Sequence, residues 1–322
     1  MLSLHSLWMD GAASAEITLM PAGRAVPFYF SVCRQKFAGV DRFRDMSADI
    51  SSFKLPGDFL MPAIGLGTWP MRESEASDAV TSALSIGYRR IDTAENYQNE
   101  PAVGLGLRNS GVPRDEVFVT TKFNKQWHSA TGVRQALENS LNRSGMDYLD
   151  LLLIHWPNPE QGTFIQAFAE MQKLVAEGLI RAAGVSNFKP AQLQILLDAG
   201  FTPAVNQIQL DPERRSAAWE EFNTEHGVLT EAYSPLGRGK SEFLQHPALV
   251  QIAEAHTKTP AQVTLRWHVQ SGRAAAPKSA NPSRQAQNLD IFDFELNAAQ
   301  MADIEALDTG AGPFTDSDEF GH

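Results

Sequence analysis

Eight short strand candidates separated by helical stripes constrain this chain more than any other feature. The strand candidates are Ala63–Thr68, Tyr88–Thr93, Val117–Lys122, Leu149–His155, Ala182–Ser186, Ala204–Gln209, Val228–Ser234 and Ala274–Lys278. Between them, Ala76, Ala79, Val80, Ala83 and Leu84 share one helical face that stops at Gly87, and Val133, Ala136, Leu137 and Leu141 share another that stops at Gly145. Phe164, Phe168, Met171 and Leu174 form a third stripe before Gly178, and Pro190 to Ala199 opens with proline in its first turn and ends before Gly200. Strands alternating with helices pair in parallel, and eight is the number that closes a barrel. The expected fold class is therefore α/β, a single (β/α)8 TIM barrel. Pro56-Gly57-Asp58 is turn chemistry between Phe53 and Leu60, which predicts an N-terminal β-hairpin capping one end. The alanine-rich last strand has the weakest propensity of the set.

A doubly wound dinucleotide fold is the competing architecture, and it requires a glycine-rich turn after its first strand. No G-x-G-x-x-G is present: Gly65-Leu66-Gly67, Gly104-Leu105-Gly106 and Gly237-Arg238-Gly239 each lack the third glycine. Gly237-Arg238-Gly239-Lys240-Ser241 resembles the end of a P-loop, but Ser234 stands where that motif needs its first glycine.

The barrel is assigned to residues 46–322, since Met46-Ser47-Ala48-Asp49-Ile50 makes an ordinary protein start just before the first structured element. Residues 1–45 show no sustained periodicity and are expected to be a disordered extension or an over-extended reading frame, although Trp8, Phe28, Tyr29 and Phe30 also allow docking on the barrel. Two uncharged runs, Met1 to Met9 and Ala25 to Cys33, are too short to span a bilayer, and no signal peptide is evident. A net charge of −11 and a pI near 5.2 argue against nucleic acid or an anionic membrane as partner. The expected partner is a small molecule. With Cys33 as the one cysteine, no internal disulfide can form, and a cytoplasmic monomer is the expectation. The eight histidines are scattered, and no metal site is expected.

Four unlike polar residues sit at or just after strand ends: Asp92, Tyr97 in the following loop, Lys122 and His155. Strand C-termini of a barrel converge on one mouth, where catalysis is expected. Taken singly, Asp92 and Lys122 read as an ion pair, Tyr97 as a loop aromatic and His155 as a satisfied strand-end histidine. Taken together they suit carbonyl reduction: a tyrosine donates a proton, a lysine cation lowers its pKa, an aspartate keeps the lysine charged, and a histidine orients the carbonyl.

From about Phe53 to about Gly310 the chain resembles an aldo-keto reductase. The resemblance rests on Gly87-Tyr88-Arg89-Arg90-Ile91-Asp92-Thr93-Ala94, on Leu153-Ile154-His155-Trp156-Pro157 and on Ala276-Pro277-Lys278-Ser279. It implies that Tyr97 is the general acid, that Lys122 and Asp92 tune it and that His155 orients the substrate. It further implies that Ser186, Asn187 and Gln207 hold a nicotinamide carboxamide and that Tyr233 stacks on the ring. Ser234, Leu236, Gly237 and Asn288 complete the implied cofactor set, with the Gly237 loop over the pyrophosphate. Lys278, Ser279 and Arg284 surround a helix start at Asn281-Pro282-Ser283 and suit a 2′-phosphate. The implied cofactor is therefore NADPH. The family often has Glu where this chain has Gln287, which weakens the adenine contact and leaves dual cofactor use open.

Trp69 and Trp156 wall the carbonyl pocket by the same resemblance, and Asn124 replaces an aromatic that many relatives carry two residues after the lysine. Lys258-Thr259-Pro260-Ala261-Gln262 and Leu265-Arg266-Trp267-His268 are similar to bacterial 2,5-diketo-D-gluconate reductases, which makes a keto sugar acid one candidate substrate. Two other classes compete with a reductase. One is a Schiff-base lyase with Lys122 as nucleophile, and the other is a cofactor-binding regulatory subunit. The acidic tail from Asp308 to His322 is too irregular to assign beyond a position near the mouth.

Overall fold

Strands buried on both faces carry continuous apolar runs, and all six residues of Leu149–Ile154 are buried. That burial comes from a barrel, described in a computed structural model for residues 51–238 and 242–322. The expected extension at residues 1–45 lies outside the described residues, as do Gly239, Lys240 and Ser241.

A hairpin of β1 (Ser52–Lys54) and β2 (Leu60–Pro62) comes first, with Phe53 opposite Met61. The order is then β3 (Leu66–Gly67), α1 (Glu73–Ile86), β4 (Arg90–Asp92), α2 (Glu100–Ser110), β5 (Phe118–Phe123), α3 (Ala130–Ser144), β6 (Leu149–Ile154), α4 (Phe164–Ala176), β7 (Ile180–Ser186) and α5 (Pro190–Asp198). It continues through β8 (Val205–Gln209), α6 (Ala217–Glu225), β9 (Leu229–Tyr233), α7 (Pro247–His256), α8 (Pro260–Gln270), β10 (Ala274–Ala276), α9 (Pro282–Leu289) and α10 (Ala298–Glu305). Strands β3 to β10 pair in parallel in chain order, and bridges from Ile64 to Ala275 and from Gly67 to Lys278 join the first to the last. This is the (β/α)8 architecture the apolar rhythm predicts.

Helix ends fall where glycines permit a left-handed residue, as at Gly145 with φ of 69° after α3. The hairpin turn uses the same freedom at Gly57 and Asp58, with φ of 81° and 63°. Strand lengths differ from the sequence reading: β3 and β4 are only two and three residues long, because the chain pairs regularly only where it crosses the barrel wall.

The hairpin closes the N-terminal end of the barrel. Leu55 and Met61 pack with Phe118, Leu151, Leu153, Ala182, Val205 and Ala274 inside it, while a larger cluster fills the space between strands and helices. Among the unmatched glycine pairs, Gly104 and Gly106 are close-approach devices instead of a phosphate turn. A Cβ at Gly104 would strike the Ser144 carbonyl of α3, and one at Gly106 would lie 2.6 Å from the Ser77 carbonyl of α1. Both collisions are with backbone, which cannot swing aside. We expect Gly104→Ala to destabilise the fold by about 1–3 kcal/mol, the usual cost of overpacking, read as a lowered midpoint in denaturant unfolding.

Candidate active site

The mouth opposite the hairpin gathers the strand-end polar residues. Lys122, at the end of β5, leaves only 1% of its side chain exposed, so its ammonium requires internal partners. It donates to both Asp92 carboxylate oxygens at 2.8 and 2.9 Å, to the Thr93 carbonyl at 2.9 Å and to the Tyr97 hydroxyl at 3.3 Å. The Tyr97 contact is the longest of the four. His155 follows β6, and its ring meets the Tyr97 ring edge-on at 6.0 Å between centroids. Asp92, Tyr97, Lys122 and His155 thus form one constellation.

Tyr97 lies in a 3-10 turn, Glu95–Tyr97, whose flanks are tied down. Asn99 accepts from the Thr93 hydroxyl at 2.7 Å and donates to the carbonyls of Thr68 and Met71. Glu100 accepts from the Thr121 hydroxyl and from Arg143, and Glu95 accepts from the Trp127 indole at 2.9 Å. Sequence reasoning missed these three polar residues, although a run of Glu95, Asn96, Asn99 and Glu100 around one tyrosine was a visible signal.

The electrostatics correct one expectation. Burial lifts the Tyr97 pKa, Lys122 pulls it down, Asp92 adds to the rise, and the net direction is upward where the sequence reading expected a fall. For Lys122, burial opposes the charge, but Asp92 and Tyr97 outweigh it and raise the pKa above the ordinary lysine range. His155 is pushed well below the ordinary histidine value by burial, by Lys122 and by His322. Its imidazole is therefore neutral near pH 7 and retains an N–H to donate.

The residues expected to hold a cofactor fall in two groups. At the ends of β7, β8 and β9, Ser186 donates to the Gln207 carbonyl at 2.8 Å, and Asn187 donates to the His155 carbonyl at 3.0 Å. Tyr233 donates to the Asn187 amide oxygen at 3.0 Å, and the Gln207 amide reaches Asp92 at 2.8 Å, so this group adjoins the catalytic candidates. Ser234, with φ of 51°, starts a turn through Leu236 closed by the Gly237 amide. The second group lies at the start of α9. Ser279 is buried and bonded to Asn281, Asn288 is buried, Arg284 is exposed, and Lys278 lies 3.7 Å from Glu75.

Trp156 is buried beside His155, while Trp69 is 51% exposed at the rim, where the Arg238 guanidinium lies 5.7 Å from its ring. The tail that resisted assignment folds across this mouth. Lys189 pairs with Asp316 and Asp318, the Phe320 ring meets Trp156 at 4.9 Å, and the His322 ring meets His155 at 4.8 Å. Asn96 bonds the His322 ring at 2.9 Å, and a Cβ at Gly321 would collide with Asn158. No periodicity announces such contacts.

The Aldo/keto reductase family profile matches residues 63–309, and the chain belongs to that family. It is 47% identical over 265 residues to an aldo-keto reductase of Mycolicibacterium vanbaalenii, covering 82% of this chain and 94% of that protein. It is 40% identical over 275 residues to the methylglyoxal reductase DkgA of Escherichia coli, covering 85% and 99%. A crystal structure of a Gox0644 mutant in complex with NADPH is similar at a TM-score of 0.79 and 38% identity, covering 84% of this chain and 98% of that one. Membership supports oxidoreductase chemistry of the carbonyl-reducing kind. Among the described residues, no helix is long and apolar enough to cross a membrane.

The depressed His155 pKa has a direct readout. In 15N NMR of the folded protein, its ring nitrogens should keep the neutral pattern through the pH range in which an unperturbed histidine, with a pKa of about 6.5, becomes protonated. Because the folded state resists this protonation, His155 contributes stability above the unfolded pKa that is lost as pH falls. A midpoint near the ordinary value would contradict the assignment.

Proposed function

We propose that this protein reduces an aldehyde or ketone to the alcohol with NADPH. The observation that carries the reading is the Lys122 ammonium, held by Asp92 and touching the Tyr97 hydroxyl in the barrel mouth. In the proposed reaction the Tyr97 hydroxyl gives its proton to the carbonyl oxygen, and Lys122 stabilises the phenolate left behind. Neutral His155 donates a hydrogen bond that orients the same oxygen. The raised Tyr97 pKa keeps the hydroxyl protonated at neutral pH, so the acid is charged for use.

The residues present fit the cofactor. Polar groups of Ser186, Asn187 and Gln207 cluster with the Tyr233 phenol at adjacent strand ends, which suits a nicotinamide, and Ser234, Leu236 and Gly237 form a tight turn beside them. Lys278, Ser279 and Arg284 stand at the capped start of α9, which suits a 2′-phosphate, with Asn288 further along the same helix. NADPH, when bound, would supply the hydride. The relative described as binding NADPH supports this choice.

For substrate we favour a small dicarbonyl or keto sugar acid, pocketed by Trp69 and Trp156. The Escherichia coli methylglyoxal reductase and the resemblance to diketogluconate reductases both point to that class. A Schiff-base role for Lys122 is disfavoured, because such a nucleophile needs a lowered pKa and this one is raised.

Oxidation of NADPH, followed by absorbance across aldehydes, ketones, methylglyoxal and diketo sugar acids, tests the reading. Tyr97→Phe should lower kcat by about a hundredfold or more while leaving NADPH affinity intact. Undiminished turnover in that variant would remove Tyr97 from the role. Replacing both Lys278 and Arg284 by Ala should weaken NADPH by about 1.5–3 kcal/mol per lost charge-assisted bond, with NADH little changed in isothermal titration.

A further inference from the structure

Beneath the mouth lies a second ion pair that the proposed reaction does not use. Arg90 in β4 and Glu231 in β9 are 3.0 Å apart, and neither side chain exposes any surface. Two charges sealed in a barrel are a poor route to stability, since a well-packed apolar pair of similar volume folds as well or better. Their placement accounts for them better. Arg90 and Asp92 are two apart on one strand and share the interior face, and Glu231 is in register beside Gln207 of β8.

From there the contacts run upward. Gln207 lies in register beside Glu231 and its amide donates to Asp92 at 2.8 Å, and Asp92 holds Lys122. Downward, Arg90 is tied to the backbone: it donates to the Ala275 carbonyl at 2.6 Å and the Ala63 carbonyl at 3.3 Å, across the seam that closes the barrel. Gly65 leaves the room it needs, because a Cβ there would collide with the guanidinium. The two carboxylates of Glu231 and Asp92 therefore lie between the Arg90 and Lys122 cations. Without Arg90, only Lys122 would offset the repulsion between the Glu231 carboxylate and Asp92.

We propose that Arg90 and Glu231 are positioning residues of the reduction site: their pair packs beside Gln207, whose amide holds Asp92, and so keeps Lys122 against the Tyr97 hydroxyl. The inference rests on the reductase reading, and its test separates the two.

The informative variant replaces both charges, Arg90→Met with Glu231→Leu, so that no unpaired charge is buried. If that protein does not fold, Glu231→Gln takes its place. Two readouts are taken on the full chain: steady-state kinetics with the best carbonyl of the panel, and 15N-lysine NMR of the Lys122 ammonium, assigned with Lys122→Met. We expect kcat to fall by about tenfold or more with the carbonyl KM within about twofold, and Lys122 ammonium protons to exchange about tenfold faster. Arg90→Lys, which keeps the charge, should restore most of kcat. Unchanged kcat with an unmoved Lys122 resonance would overturn the proposal. If the wild type turned over no carbonyl, the reductase reading would fail, yet the Lys122 signal would still report whether the pair positions it.

Discussion

A lysine ammonium hidden in a barrel mouth is the constraint around which the functional end of this molecule is arranged. Leaving such a charge unpaired costs several kcal/mol in desolvation, so every group near Lys122 is placed to accept from it. Asp92 supplies the compensating charge, the Thr93 carbonyl turns inward, and the Tyr97 hydroxyl completes the shell. The loop that brings Tyr97 there is held by Asn99, Glu100 and Glu95, each bonded to an element other than its own turn. The tyrosine is thus positioned by backbone geometry, while its proton affinity is a contest that burial wins over the lysine.

The two ends of the barrel divide the work. At the N-terminal end, the hairpin residues Leu55 and Met61 seal an apolar plug. Above that plug the interior turns polar, from Arg90 and Glu231 through Gln207 to Asp92 and Lys122. A polar column of this kind is tolerable because each carboxylate has its own cation, Arg90 beside Glu231 and Lys122 on Asp92. The seam between β3 and β10 belongs to the same design. Glycine and alanine there leave space for the Arg90 guanidinium, which donates to carbonyls on both sides of the closure.

Residues announced themselves in the sequence where they broke a pattern. Asp92, Lys122 and His155 each close a strand, and a polar group buried at such a position is too costly to be incidental. Arg90 and Glu231 break the pattern too, yet they lie inside strands, where a reading focused on strand ends passes over them. Gly104 and Gly106, which lack the third glycine of a dinucleotide turn, prove to be contact points between helices. Trp69 was legible as a rim residue, but its neighbour Arg238 was not, because the two meet across about 170 residues of chain.

The eightfold alternation, the helix stops, the hairpin turn and the catalytic candidates were determined by local periodicity and turn chemistry, which depend on neighbours within a few residues. Tertiary structure alone decided that the acidic tail crosses the mouth to set His322 against His155, that Gln207 is tied to Asp92, and that the Tyr97 pKa rises instead of falling. Those outcomes depend on which distant groups meet and on how much water burial removes from them, and neither quantity is written in the order of residues along the chain.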